Sequence, residues 1–321
     1  MMSGKLKVGV CGTGNMGRNH LRVLSTMAEI ELVGCFDANP DAAEQQAGLY
    51  DIMAFSSQEE LFDAVDVVHI VVPSFLHEEC AVAAAQAGCH VLVEKPIALT
   101  LDSAQHIIDA CNVAGVKLCV GHVERFNPAI ITLEKILENE EVISLDFRRM
   151  SPFDRRVSDA SVVQDLMIHD LDVLNAIAAA PTRRIVAQGA HVYTDKLDYA
   201  QALVEFENGI LASVTASRVT ESKVRVLEVN TKDAFIVADY LNRTVRISRK
   251  TNFTLDVGHE LQYTQENIVE QVFVPASEPL RNEFKHFYKC IEEDLPIATD
   301  GVMAKKALEL CMKITEEATS A

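Results

Sequence analysis

Lys7-Val-Gly-Val-Cys-Gly-Thr-Gly-Asn-Met-Gly17 joins a short apolar run to a turn with three spaced glycines. The run reads as a buried first strand, and Leu21, Val23, Leu24 and Met27 continue past the turn at helical spacing. A G-x-G-x-x-G turn leaving a strand and opening a helix is the context in which glycines permit a tight bend and helix N–H groups face a pyrophosphate. Gly12, Gly14, Asn15, Met16 and Gly17 are therefore candidate cofactor contacts. Ile30–Phe36 reads as the second strand and ends in Asp37, 20 residues after Gly17, where a carboxylate can accept from an adenosine ribose. A turn or helix cap before Asn39-Pro40 is the competing role for Asp37. Ala38 follows, with no Arg or Lys nearby to hold a 2′-phosphate, so NAD is expected rather than NADP.

Outward from this unit the strand–helix alternation continues. Asp66–Pro73 is a strand, Ser74 can cap an alanine-rich helix, and His77 sits in that helix's first turn. His77 reads equally as a crevice residue or as a solvated helix position. His90-Val-Leu-Val-Glu-Lys-Pro96 is a buried strand delivering Glu94 and Lys95 at its carboxyl end. A helix over 101–114 and a strand over 116–120 complete an α/β Rossmann domain, a doubly wound parallel sheet spanning 1–121. Ligands gather at the carboxyl ends of such strands, which places Pro73, Glu94 and Lys95 on the edge that carries Gly12.

The pattern changes after Asn127-Pro128. A helix over 129–137 and a strand over 142–147 lead to a polar segment, Ser151–Ser161, preceded by Arg148 and Arg149 and containing Arg155 and Arg156. That segment is either solvated or closes over an anionic substrate. Over 162–179 a helix carries Asp165, His169 and Asp172 at i, i+4 and i+7, on one face. An Asp one turn from a His can orient it for proton transfer, and the same spacing also makes an ordinary surface ion pair. Strands over 185–191, 200–206, 210–218, 224–229, 234–239, 244–248 and 268–274 follow, with Asn208-Gly209 as a hairpin turn. Helices over 278–294 and 302–317 close a second domain, 122–321, expected as an α+β unit with an open, largely antiparallel sheet.

Composition narrows the partners. The formal net charge is −18, which argues against nucleic acid, since phosphate binding needs clustered Lys and Arg. None of the eight cysteines forms a C-x-x-C pair and most lie in apolar runs, so they read as buried hydrophobes rather than disulfides or metal ligands. No metal is expected. The N-terminal stretch lacks the apolar core of a signal peptide, and no apolar run approaches membrane-spanning length. A cytoplasmic protein with no membrane partner is expected.

The glycine loop, Val72-Pro73-Ser74-x-x-His77, Glu94-Lys95-Pro96 and Asp165-x-x-x-His169, in this order, resemble the Gfo/Idh/MocA oxidoreductase family over nearly the whole chain. The resemblance implies that Lys95 reaches both nicotinamide and substrate, that Glu94 meets the nicotinamide ribose, and that Asp165 and His169 line the substrate. It also implies a cis bond before Pro96 and a homo-oligomer, dimer or tetramer, formed through the second-domain sheet. Within the family, Gly121-His-Val-Glu-Arg-Phe-Asn-Pro-Ala129 is similar to members acting on nucleotide-linked N-acetyl sugars, with UDP-N-acetylglucosamine oxidised at C3. Many relatives carry Arg-Arg-Phe there; this chain has Glu124 and Arg125, and Arg125 is the candidate substrate contact. The implied chemistry is hydride transfer between a sugar ring hydroxyl and NAD, with His169 as base and Lys95 stabilising the alkoxide. Lys95 as the base is the other assignment. A free sugar or inositol as substrate stands beside the nucleotide sugar. A nucleotide-binding sensor without turnover, and a tightly held NAD recycled in place, are further readings of the same fold.

Overall fold

The computed structural model describes residues 4–154, 160–257 and 260–320, with side chains described for these apart from 251–267. Arg155 and Arg156 lie outside the described residues. The chain forms two compact units, Met1–Val123 with Pro279–Glu309, and Glu124–Glu278 with Leu310–Ala321.

In the first unit β1 (Lys7–Cys11), α1 (Asn15–Leu24), β2 (Glu31–Phe36), α2 (Pro40–Tyr50), β3 (Met53–Ala54), α3 (Gln58–Ala64), β4 (Val67–Ile70), α4 (His77–Gln86), β5 (His90–Glu94), α5 (Leu101–Ala114) and β6 (Leu118–Gly121) alternate. The six strands are parallel in the order β3-β2-β1-β4-β5-β6. Sequence order reverses between β1 and β4, so the loops leaving these two strands part to opposite sides and open the crevice at the carboxyl edge. Every residue of β4 and β6 is buried, as expected where helices cover both faces of a sheet. Local chemistry sets the helix ends. Ser57 accepts from the Glu60 N–H at 3.2 Å and Thr100 from the Ser103 N–H at 3.1 Å, while Gly115 ends α5 with φ of 69°.

The second unit contains α6 (Pro128–Leu137), β7 (Val142–Met150), a π-helical turn (Val163–Met167) running into α7 (Ile168–Ala178), β8 (Thr182–Ala190), β9 (Tyr199–Phe206), β10 (Leu211–Ser217), β11 (Val224–Thr231), β12 (Ala234–Asp239), β13 (Thr244–Val257) and β14 (Glu260–Val272). Eight strands form one sheet in the order β14-β13-β12-β11-β7-β10-β9-β8. Only the β7–β10 pair is parallel. One face, with Leu145, Phe147, Ala202, Val204, Val214, Leu227 and Ile236, forms a core with Ile130, Leu133, Leu171 and Leu174 of the helices.

Two departures from the sequence reading are instructive. The expected helix over 162–179 begins as a π turn, so the turn bearing Asp165 is wider than the α-helical turn bearing His169. The sequence reading also assigns both terminal helices to the second domain. Instead α8 (Pro279–Glu292) belongs to the first unit, and α9 (Gly301–Ser320) crosses from the first to the second at Leu310. The reason lies in α8's apolar stripe. Leu280, Phe284, Phe287 and Tyr288 recur at helical spacing and are buried with Leu21, Val67 and Leu92 of the first unit. Among the described residues no helix is long and apolar enough to cross a membrane.

Candidate active site

The first unit supplies a cradle at the start of α1. Gly12 has φ of +99°, and a Cβ there would lie 2.5 Å from the Val71 carbonyl oxygen. A Cβ on Gly17 would lie 2.0 Å from the Gly12 oxygen, so helix and strand pack too closely for any side chain. Gly14 faces open space, with nothing within 4 Å of a built Cβ, and α1 starts at Asn15 without a side-chain cap. An uncapped helix start beneath an open glycine leaves N–H groups, with the positive end of the helix dipole, for an anion. The residues present therefore fit a dinucleotide's pyrophosphate.

Asp37 leaves β2 beside this cradle. Its Oδ2 accepts from the Thr13 N–H at 2.7 Å and the Thr13 hydroxyl at 2.9 Å, and its Oδ1 from the Asn39 N–H at 2.9 Å. Burial raises the carboxyl pKa, but these donors outweigh it and hold Asp37 below the usual carboxylate range. An ionised, half-exposed carboxylate with acceptor capacity left on Oδ1 is suited to ribose hydroxyls and repels a 2′-phosphate.

Pro73 is exposed at the end of the neighbouring strand's loop. His77 is buried, with Nδ1 2.9 Å from the Pro96 carbonyl oxygen and Nε2 3.0 Å from that of Val72. Both ring nitrogens thus face backbone carbonyls, to one of which the single N–H of a neutral ring donates, and burial pushes the imidazole's pKa down against the pull of those oxygens. His77 does not line a crevice by its ring; it ties the segment after β4 to the segment after β5. There Glu94 is buried, Lys95 is half-buried, and the Lys95–Pro96 bond is cis.

The second unit holds the other predicted residues. Asp165 lies in the π turn and His169 in the first turn of α7, both half-buried. What fixes this helix was not read from the sequence. Arg149, on β7 and 2% exposed, donates from Nε to Asp170 Oδ2 and from Nη2 to Asp170 Oδ1, both at 2.8 Å. Its Nη1 donates to Glu124 Oε1 at 3.0 Å, and Arg225 Nη1 reaches the same oxygen at 3.2 Å. Asn127 Nδ2 donates to Glu124 Oε2 at 3.1 Å. Burial raises the Glu124 pKa, but the two guanidinium charges bring it below the usual range. Glu124 is thus the buried acceptor for two arginines rather than a surface group. Asp170 adjoins His169, so the bidentate pair clamps the backbone next to it.

Arg125 is committed in part as well. Its Nε donates to Glu134 Oε1 at 3.2 Å, and its Nη1 lies 3.9 Å from Asp172 Oδ2. It also lines a cavity of about 450 Å³ with Glu138, Ala176, Asn208 and Ile210. Asp172, expected on the face of Asp165 and His169, is buried at 1% exposure, whereas those two are half-buried.

Comparison with known proteins agrees with this geometry. Residues 6–122 match the model of the "oxidoreductase family, NAD-binding Rossmann fold", and residues 142–237 match the "GFO/IDH/MocA C-terminal domain". The chain is 31% identical over 309 residues to UDP-N-acetylglucosamine 3-dehydrogenase of Acidithiobacillus ferrooxidans, covering 96% of each. A solved structure of that enzyme superposes with a TM-score of 0.90 at 30% identity, covering 98% of each chain. Inositol 2-dehydrogenase of Rhizobium meliloti is 24% identical over 322 residues, covering 95% of this chain and 94% of its own. On its motifs, its two units and these matches, the chain belongs to the Gfo/Idh/MocA family of oxidoreductases and carries that family's NAD-binding Rossmann domain.

Proposed function

We propose that this oxidoreductase is an NAD-dependent dehydrogenase of a nucleotide sugar, oxidising UDP-N-acetylglucosamine at C3. The observation that carries the substrate is the 31% identity, over 96% of both chains, to an enzyme of that name. The preference for NAD over NADP rests on Asp37, ionised beside the cradle and followed by Ala38.

In this reading a bound nicotinamide supplies the hydride acceptor, and the chain's own residues manage the proton and the charge. His169 takes the proton of the reacting hydroxyl as general base, oriented by Asp165 one turn earlier. Lys95, as an ammonium, stabilises the alkoxide that develops as the C–H bond breaks. Lys95 belongs to the first unit and His169 to the second. Arg125, whose Nε is held by Glu134, is the substrate contact in this reading, and Glu94 accepts from the cofactor's ribose. Gly12, Gly14, Asn15, Met16 and Gly17 hold the pyrophosphate, and Pro73 and His77 shape the neighbouring edge.

The protein assembles as a homo-oligomer, a dimer or tetramer, through the second unit's sheet. The face opposite its core exposes Val186, Leu203 and Leu211 around a shallow hollow of about 590 Å³, and Ile143 is exposed near the start of β7. Apolar side chains of this size grouped on one sheet face are characteristic of a covered surface. All eight cysteines are buried thiols and none is in a disulfide, which fits a reducing cytoplasm.

Inositol 2-dehydrogenase among the relatives supports a second reading, with an inositol or free sugar as substrate. One assay separates the two. Purified protein is mixed with NAD or NADP and a panel of free sugars, inositols and UDP-N-acetyl sugars, with a carbonyl trap to draw the ketone off, and NADH is followed. Turnover with NAD and UDP-N-acetylglucosamine is expected. Turnover only with an inositol or free sugar overturns the nucleotide-sugar assignment, and a preference for NADP overturns the role of Asp37.

A further inference from the structure

Glu94 is the end of a buried hydrogen-bonded chain that runs through four elements of the first unit. Its Oε1 lies 2.9 Å from His20 Nε2 on α1; His20 Nδ1 lies 3.0 Å from His69 Nδ1 on β4; His69 Nε2 lies 2.9 Å from Tyr288 Oη on α8. Both imidazoles are fully buried and Tyr288 is 4% exposed, with Phe284 against the two rings at centroid distances of 4.9 and 4.5 Å. Glu94 Oε2 accepts from the Lys95 N–H at 3.2 Å. On its other side the carboxyl group fills space left by Gly121, where a built Cβ would sit 2.9 Å from Cδ.

The hydrogens of this chain are ordered from its carboxylate end. Burial raises the Glu94 pKa, but the donors His20 and Lys95 bring it below the usual range, so the carboxylate accepts and His20 Nε2 donates to it. Burial above all pushes His69 well below its ordinary range, so that ring is uncharged. A His20 with its one hydrogen on Nε2 accepts at Nδ1 from His69 Nδ1, which leaves His69 Nε2 to accept from the Tyr288 hydroxyl, kept protonated by burial. Glu94 then receives an N–H at each oxygen, from His20 and from the Lys95 backbone.

We propose that Tyr288, His69 and His20 are positioning residues for Glu94, a relay of fixed tautomers that holds its carboxylate oriented and ionised for the cofactor's ribose hydroxyls beside Lys95. This rests on the reading of Glu94 as a cofactor contact and extends it to three residues that themselves touch no ligand. It also couples the helix of the glycine loop, which carries His20, to the carboxyl end of β5.

Two measurements test it, and neither needs a sugar substrate, so they decide the matter even where the proposed substrate is wrong. Imidazole ¹⁵N spectra of histidine-labelled wild-type protein at neutral pH are expected to show His20 as the Nε2–H tautomer and His69 as the Nδ1–H tautomer, both uncharged. An Nε2–H His69, or a doubly protonated His20, overturns the relay. NAD titration of variants gives the second readout. His20→Leu removes a hydrogen bond to a charged group and is expected to weaken NAD binding roughly 10- to 100-fold. His20→Gln, whose amide offers one donor and one acceptor, is expected to restore most of it. Unchanged NAD affinity in a folded His20→Leu, or no recovery in a folded His20→Gln, overturns the positioning role. The tautomers are read on the wild-type chain, so a variant that fails to fold leaves the inference exposed to refutation.

Discussion

His169→Ala is expected to lower kcat by about 10²- to 10⁴-fold, the usual contribution of a positioned general base, without weakening NAD binding. The separation follows from where the residues lie. His169 is in the second unit, while the glycine cradle and Asp37 are in the first, so the truncation removes no group from the dinucleotide's cradle. Steady-state turnover with saturating substrate, together with an independent NAD titration, checks both halves. Turnover kept close to wild type would transfer the base to Lys95. Loss of NAD binding in a folded variant would mean that His169 serves the cofactor rather than the reacting hydroxyl.

The second large effect is on stability. Arg149→Met is expected to destabilise the second unit by about 3–5 kcal/mol, because it strands buried carboxylates without their cation. Asp170 is 2% exposed and loses both of its guanidinium bonds, while Glu124 retains Arg225 as its cation and the Asn127 amide as a donor. For a unit of this size that loss lowers the unfolding midpoint by roughly 6–20 °C. Pairing Arg149→Met with Asp170→Leu is expected to recover much of it, since replacing a buried ion pair by apolar groups is often neutral. Glu124 gives its own contribution to the pH dependence a definite sign, opposite to that of Asp170, whose carboxyl burial holds above the usual range. Glu124, held below the usual carboxylate range, contributes stability that is complete above the ordinary glutamate pKa and is lost as pH falls through its lowered folded value. Thermal unfolding of both variants across acidic and neutral pH measures this. An Arg149→Met protein as stable as wild type would show that the ion network does not hold α7.

Much of the fold was legible because its determinants are local. A run of apolar residues, a glycine turn and an amphipathic helix within Lys7–Leu24 specify the first β–α unit, and the alternation that follows specifies a parallel sheet. The hairpin signal at Asn208-Gly209 sits where β9 turns into β10, with Gly209 at φ of 88°. What was not legible depends on distant partners. His20, His69, Glu94 and Tyr288 are on four elements, and Tyr288 lies 219 residues from His69, so no spacing rule joins them. Arg149 and Asp170 are 21 residues apart on a strand and a helix; each alone reads as a solvated charge. The return of α8 to the first unit is written only in its apolar stripe, which says that it packs but not against what. The β13–β14 hairpin was read only at its ends; the alternation of Phe253, Leu255 and Val257 with polar residues, followed by Gly258, was a local signal for the rest.

For the chemistry itself, the most direct measurement uses UDP-N-acetylglucosamine carrying deuterium at C3, incubated with the protein and NAD in the presence of a carbonyl trap. Mass analysis of the reduced cofactor is expected to find one deuterium per NADH formed, with a slowed rate when the C–D bond is broken. Unlabelled NADH from the C3-deuterated sugar, or no reduced cofactor while an inositol supports turnover, would contradict C3 oxidation of a nucleotide sugar.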